Sequence, residues 1–191
     1  RALADRIDGL LVSDAISEGD RAFIQARDMF FLATADGQGR PTCSYKGGEP
    51  GFVRVPDLHT VVFPNYDGNG MYLSMGNVDA TQRVGLLFID FERQRRIRVD
   101  GTAELRQDDP LLAEHPEAQF VVRVKAARIY PNCPRYIHKY QLVERSSIVP
   151  RFKQDDESFE PGFGMTTAAE RRAADLFLSD LLGEPVSSAG P

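Results

Sequence analysis

Three segments of the chain combine glycine with cationic, hydroxyl, amide and aromatic side chains. They cover residues 44–48 with 51–55, residues 64–77, and residues 133–140. Taken singly, each segment is typical of a hairpin loop. Taken together, they offer hydrogen-bond donors and cations for a phosphate, and cationic and aromatic groups for the isoalloxazine ring of a flavin. The sequence therefore predicts that the three segments share one ligand.

The middle segment predicts a turn that opens a short helix. The first turn of a helix leaves main-chain N–H groups unpaired, and such groups bind anions. Asn69, Ser74 and Asn77 lie at spacings that would add side-chain donors at the same end. Lys46 or Arg54 would supply a fixed positive charge near the phosphate or near the anionic N1–C2 edge of the ring, where it favours reduced flavin.

The composition disfavours several other classes of function. A net charge of -5 and a pI near 5.3 argue against nucleic-acid binding, which needs an excess of Lys and Arg. No apolar run approaches the roughly 20 residues that cross a bilayer. The chain has no Gly-x-Ser-x-Gly elbow, P-loop lysine or Gly-x-Gly-x-x-Gly motif, so protein side chains alone are not expected to carry the catalysis. The basic run 93–98 is interpreted as a solvated strand edge.

Cysteines and histidines form no metal or disulfide pattern. Cys43 and Cys133 are far apart in the chain, and neither belongs to a Cys-x-x-Cys pair. We expect Cys133 to be a buried small hydrophobic residue rather than a redox thiol. Of the three histidines, only His138 belongs to a segment that mixes cationic, aromatic and hydrogen-bonding groups. The sequence predicts neither a metal site nor a disulfide.

Short strands with helices at their ends surround these segments. Ser17 predicts the cap of a helix that runs to about residue 27. Residues 97–105 alternate between apolar and polar side chains, which predicts a strand with one solvated face. Residues 84–89 are apolar on both faces, as in a central strand covered by the barrel interior on one side and by a helix or a second subunit on the other. The remaining predicted elements are a hairpin of 29–35 and 41–46 with its turn at 36–39, strands at 52–55, 60–63 and 120–130, a turn at 56–57, and a short helix within 68–77.

Length and patterning predict one domain with terminal decorations, built as an antiparallel barrel or sandwich. Its parts would be an N-terminal helical segment at 1–27, the barrel at 28–150, and an acidic loop with a C-terminal helix at 151–191. Thr167 opens that helix as a capping box, and the pattern continues to about Leu182. The first six residues lack the apolar centre of a secretory signal, so we expect a cytoplasmic location.

Several of these runs together resemble one family. Residues 31–41, 46–55, 65–69 and 83–88 are similar to the pyridoxamine 5'-phosphate oxidase-like FMN-binding family. The Cys-Pro-Arg-Tyr-Ile run at 133–137 resembles the branch of predicted flavin-nucleotide-binding proteins. The resemblance spans residues 20 to 145 and implies a mainly β (α+β) fold, a six-stranded antiparallel split β-barrel with flanking helices. It also implies a homodimer with two FMN sites at the subunit interface.

The resemblance also implies which residues contact FMN. The segment 133–139 would approach from the partner subunit. In this chain Gly70 and Met71 replace the Arg-Lys pair that the vitamin B6 oxidase places on the phosphate, and that enzyme's C-terminal substrate segment has no match here. Both departures argue against pyridoxamine phosphate oxidation. The implied contacts are Ser44, Lys46, Pro64, Tyr66, Asn69, Met71, Ser74 and Asn77, with Arg135, Tyr136, His138 and Lys139 from the partner.

Three functions follow as hypotheses. The first is an FMN-dependent oxidoreductase that passes a hydride or electrons to or from a small molecule, with the protein supplying position and electrostatics. The second is a flavin carrier or sensor without turnover. The third is a deazaflavin or haem binder on the same barrel, for which His138 would be the candidate axial ligand.

Overall fold

The computed structural model of the chain describes residues 12–68 and 70–150. The predicted acidic loop, the C-terminal helix and the first eleven residues lie outside the described residues, so the predicted division into segments stays a prediction. The described elements, in chain order, are α1 (Glu18–Gln25), β1 (Met29–Ala35), β2 (Pro41–Gly47), β3 (Arg54–Asp57), β4 (Thr60–Asn65), α2 (Leu73–Thr81), β5 (Arg83–Asp90), β6 (Arg95–Arg106), a 3-10 turn (Pro110–Glu114) and β7 (Phe120–Pro131).

The seven strands form one antiparallel sheet in the order β2-β1-β5-β6-β7-β4-β3. Six strands have six residues or more, and the seventh, β3, is a four-residue edge strand. The sheet is not closed between β2 and β3. The predicted mainly β class, an antiparallel split barrel with flanking helices, is confirmed.

Aromatic contacts show that the sheet curls into a barrel. Phe30 of β1 and Phe63 of β4 are separated by three intervening strands, yet their ring centroids lie 4.9 Å apart. A flat sheet would separate them by roughly 19 Å, at about 4.8 Å per strand. Phe52 and Phe88 also pack against Phe30, at 5.9 Å and 5.1 Å. These fully buried rings form the centre of the core, which α1 and α2 extend.

The helix and hairpin at the start of the barrel follow their predicted chemistry. Ser17 and Asp20 form a reciprocal capping box, which starts α1 at Glu18. The hairpin turn closes with hydrogen bonds from Asp36 to the Arg40 carbonyl oxygen and from Gly39 to the Asp36 carbonyl oxygen. Gly39 has a φ of 79°, a conformation that favours glycine.

One predicted strand and its turn are shifted along the chain. Residues 52–55 were expected as a strand with a turn at 56–57, but β3 begins at Arg54 and includes Pro56. Phe52 packs in the core against Phe30, and its N–H donates to the Glu49 carbonyl oxygen, so the strand begins only after this residue. Proline is tolerated at this position because β3 is an edge strand.

The strand β6 buries the face that its alternation predicts, whereas β5 fully buries only one of the two faces that were expected to be covered. In β6, Ile97, Val99 and Ala103 are buried, whereas the residues between them are at least partly exposed. In β5, Leu86 and its inward neighbours are buried, while Leu87 on the outer face is only partly buried in this chain. None of the helices in the described part of the chain is long and apolar enough to span a membrane.

Candidate functional site

A cleft of about 410 Å³ opens between the edge strand β2 and the start of α2. Its volume lies within the range of small-molecule sites, about 300 to 1,000 Å³. Residues from two of the predicted segments meet here. The lining comprises Thr42, Cys43, Ser44, Tyr45, Lys46, Asn65, Tyr66, Gly68, Gly70, Met71, Tyr72, Leu73, Ser74 and Met75.

The β2 wall presents side chains to the inside of the barrel. Lys46 pairs with Phe30 and Ser44 pairs with Leu32, and both partners are fully buried core residues of β1. Directly opposed residues of an antiparallel pair point to the same face, so Ser44 and Lys46 share the inner face. Tyr45, between them, points outward and is 62% exposed.

The outer edge of β2 adds main-chain groups that side-chain patterns do not reveal. Gly48 donates to the Asp28 carbonyl oxygen and Asp36 donates to the Arg40 carbonyl oxygen, which fixes the phase of the β1–β2 ladder at both ends. Because hydrogen-bonded pairs alternate along an antiparallel ladder, the N–H and C=O groups of Cys43 and Tyr45 point away from β1. They lie on the free edge that lines the cleft, where a planar ring with donors and acceptors could bind.

The opposite wall is the start of α2. The helix begins with the hydrogen bond from the Gly76 N–H to the Tyr72 carbonyl oxygen, so the three preceding N–H groups are not used by the helix. The Ser74 hydroxyl is 3.0 Å from the Ser44 hydroxyl across the cleft. These donors give one end of the cleft the character of an anion site.

Lys46 is the charged side chain among the described residues that line the cleft. No carboxylate among residues 12–68 and 70–150 lies within salt-bridge distance of its ammonium group. Burial lowers its pKa, because desolvation disfavours the charged form. Tyr66 lies on the same cleft, and burial, with added repulsion from Glu117 and Glu49, raises its pKa to about 12. Tyr66 is therefore a neutral phenol that can donate a hydrogen bond.

The structure brings five of the predicted contact residues together and places two others, Pro64 and Asn77, outside the cleft lining. Asn69 lies outside the described residues. Pro64 is buried in β4 and Arg54 pairs with Glu114 at 3.0 Å, both away from the cleft lining. Asn77 is buried, and its amide nitrogen donates to the hydroxyls of Thr34 and Thr42, 3.0 and 3.2 Å away. The five that line the cleft are Ser44, Lys46, Tyr66, Met71 and Ser74.

The third predicted segment does not line the cleft of its own chain. Its backbone is held on the β5–β6 hairpin, where Gln94 in the turn donates to the Ile137 carbonyl oxygen and Arg96 of β6 donates to the Cys133 carbonyl oxygen. Cys133 is exposed, so its expected burial was wrong: hydrogen bonding anchors its carbonyl and Ile137 supplies the apolar contact. The predicted contact residues of this segment are all exposed: Arg135, Tyr136, His138 and Lys139.

The structure is a split barrel with a cleft between an open strand edge and a helix start. The family model described as pyridoxamine 5'-phosphate oxidase matches residues 16–146, well over half of the chain. The chain belongs to this family, as the sequence resemblance predicted.

Similarity to one solved structure supports the fold, and two further similar structures have lower TM-scores. HupZ from Group A Streptococcus is 19% identical, has a TM-score of 0.51, and covers 61% of this chain and 99% of its own. An FMN-binding protein from Syntrophomonas wolfei is 13% identical over 69% of this chain and 92% of its own, with a TM-score of 0.48. The haem storage protein HutZ from Vibrio cholerae is 19% identical over 60% and 93%, with a TM-score of 0.43. None of the curated proteins matches the chain.

Proposed function

We propose that the protein is an FMN-dependent oxidoreductase that exchanges a hydride or electrons with a small molecule. The observation that carries the proposal is Lys46, a partly buried cation with no carboxylate partner among the described residues. A buried charge needs a counter-charge, and an anionic ligand in the cleft would supply it. A family of oxidases is consistent with redox chemistry.

The groups around the cleft fit a phosphorylated flavin. The α2 start with Ser44 and Ser74 offers donors for a phosphate, and the free edge of β2 offers main-chain donors and acceptors for the polar edge of a ring. When bound, FMN supplies reversible hydride or electron transfer. Lys46 would hold a positive charge against the anionic ligand, and Tyr66 would donate from its neutral phenol.

A second copy of the chain is the partner that the outer sheet face favours. Tyr45, Phe31 and Leu87 lie side by side there, on β2, β1 and β5, and all three are at least partly exposed. Apolar side chains grouped on one sheet face are typical of subunit interfaces. In such a dimer, the exposed segment 133–139 of one subunit could reach the cleft of the other.

The cofactor is tested by purifying the protein and identifying what it carries. We expect a yellow protein that releases FMN, and anaerobic bleaching by NADH or NADPH. If the protein binds FMN that is bleached neither by NADH or NADPH nor by another reductant that could act in turnover, the flavin carrier or sensor would be favoured. A haem spectrum, or colourless protein that ignores added FMN, would refute the proposal.

The dimer is tested by mass in solution. Leu87→Asp should convert the dimer into a monomer and weaken FMN binding, because it places a charge in the apolar interface. Leu58→Asp is the control, since Leu58 is 59% exposed on the β3–β4 turn, away from this face. A wild-type monomer, or a Leu87→Asp dimer with full FMN binding, would contradict this interface.

A further inference from the structure

A single side chain, that of Gln119, connects the end of β4 to the start of α2. Its Oε1 accepts from the Asn65 side-chain amide at 3.1 Å and from the Tyr72 hydroxyl at 2.8 Å. Its Nε2 donates to the Tyr72 hydroxyl at 2.6 Å, and its main-chain N–H donates to the Asn65 carbonyl oxygen at 3.0 Å. Asn65 is the last residue of β4, and Tyr72 is the N-cap of α2.

Tyr72 needs such support because of its backbone. It has a φ of 46° and a ψ of 24°, the left-handed conformation that aromatic residues rarely adopt. Its side chain does not cap the helix. A residue in this conformation is held there by its surroundings, and the Tyr72 phenol, 9% exposed, is fixed by the Gln119 amide.

We infer that Gln119 is a positioning residue that sets where the start of α2 lies over the cleft. The inference rests on the proposed function, because it assigns the helix start to the phosphate of the flavin. Gln119 itself is not part of the cleft lining, so it would act through Asn65 and Tyr72, which are. Loss of its amide would loosen the phosphate end of the site, while the β2 edge at the ring end stays in place.

The test compares FMN with riboflavin, which has the same ring and no phosphate. Gln119→Met keeps the length of the side chain and removes its hydrogen bonds, and Tyr72→Phe removes only the hydroxyl. Each variant should weaken FMN about tenfold, the effect of losing one well-made hydrogen bond. The affinity for riboflavin should change less than about twofold. Fluorescence titration of the two flavins measures both constants.

Gln25→Met is the matched control. Gln25 is also a half-buried glutamine, and its Oε1 accepts from the Val55 N–H at 3.0 Å, in the contact between α1 and β3. We expect this variant to lose thermal stability as Gln119→Met does, with an unchanged ratio of FMN to riboflavin affinity. The control therefore separates positioning of the helix start from a general loss of stability.

The outcomes distinguish the two proposals. Wild-type protein that binds neither flavin would refute the proposed function and this inference with it. Wild-type protein that prefers FMN, with the preference intact in both Gln119→Met and Tyr72→Phe, would refute the role of Gln119 alone. If Gln119→Met does not fold, Tyr72→Phe decides, because deletion of one oxygen atom leaves the packing of the ring unchanged.

Discussion

Replacement of Lys46 by methionine should raise the stability of the ligand-free protein and lower its affinity for an anionic ligand. Lys46 is a partly buried ammonium without a carboxylate partner in the described part of the chain, so its charge costs free energy in the ligand-free protein. Methionine has a similar length and needs no solvation. Lys46→Met should therefore stabilise the ligand-free protein, whereas it removes the cation that faces an anionic ligand.

The size of both effects follows from the burial of this side chain. An unsatisfied buried polar group costs about 1 to 3 kcal/mol, and because Lys46 keeps some solvent contact we take about 1 kcal/mol. In a chain of this length that gain raises Tm by about 2 to 4 °C. A hydrogen bond to a charged group contributes about 1.5 to 3 kcal/mol, so FMN should bind about 10- to 150-fold more weakly.

The effect on stability should also depend on pH in a defined direction. Burial holds the pKa of Lys46 below its ordinary value, so the unfolded chain binds more protons between the two pKa values. Wild-type stability therefore rises with pH through that interval. The gain in stability of Lys46→Met over wild type should be largest below the folded-state pKa of Lys46 and should vanish above the ordinary lysine pKa.

Calorimetry of the ligand-free proteins measures Tm, and fluorescence titration measures the affinity for FMN. Lys125→Met is the control, because Lys125 is an exposed lysine on β7, and it should leave both quantities nearly unchanged. A lower Tm in Lys46→Met together with wild-type FMN affinity would refute the reasoning, since Lys46 would then be an ordinary structural lysine.

Two further predictions concern the barrel itself. Gly101→Ala should lower the free energy of unfolding by about 2 to 3 kcal/mol in a denaturant titration, because a Cβ there would overlap the main-chain oxygen of Lys125 at the β6–β7 bulge. Gly85→Ala is the control: there is room for a Cβ, so the free energy of unfolding should change by no more than about 1 kcal/mol. Asp109→Asn should lower the free energy of unfolding by about 2 kcal/mol at neutral pH, since it removes the carboxylate that lies 2.8 Å from the guanidinium of Arg123. Burial opposes ionisation of Asp109, but the hydrogen bonds from Arg123 and a main-chain N–H hold its pKa below the ordinary value. The stability it contributes is present above the unfolded-state pKa and is lost as pH falls through the folded-state pKa, so wild-type protein should lose stability in acid more steeply than Asp109→Asn.

The sequence predicted the elements whose signals are local. The Ser17 cap, the turn before Arg40 and the alternation around Val99 each depend on a few neighbouring residues, and each matches the structure. The position of β3 was shifted because a tertiary contact, Phe52 against Phe30, decides where the chain enters the core. No local pattern contains that information.

The site was predictable where side-chain chemistry identifies it. Lys46 and Ser74 were predicted from their types and spacing and Ser44 from the family resemblance, and the fold brings them to one cleft. Asn77 has the same kind of side chain as a ligand contact, yet its amide nitrogen bonds to threonines that pair across the β1–β2 hairpin. The hydrogen bonds of Gln119 to Asn65 and Tyr72 could not be predicted, because they join residues about fifty positions apart. They also depend on a backbone conformation of Tyr72 that tyrosine seldom adopts.

The split in the barrel explains why the cleft forms where it does. In a closed barrel, a strand on each side would pair the main-chain groups of Cys43 and Tyr45, and no free edge would remain. Here the sheet ends at β2, so those groups require water or a ligand, and α2 presents its own unpaired N–H groups across the gap. Both walls therefore offer main-chain donors whose presence does not depend on side-chain identity. Lys46 adds a positive charge that would favour an anion in the gap, which is why its substitution tests the proposed site more directly than any change at the edge.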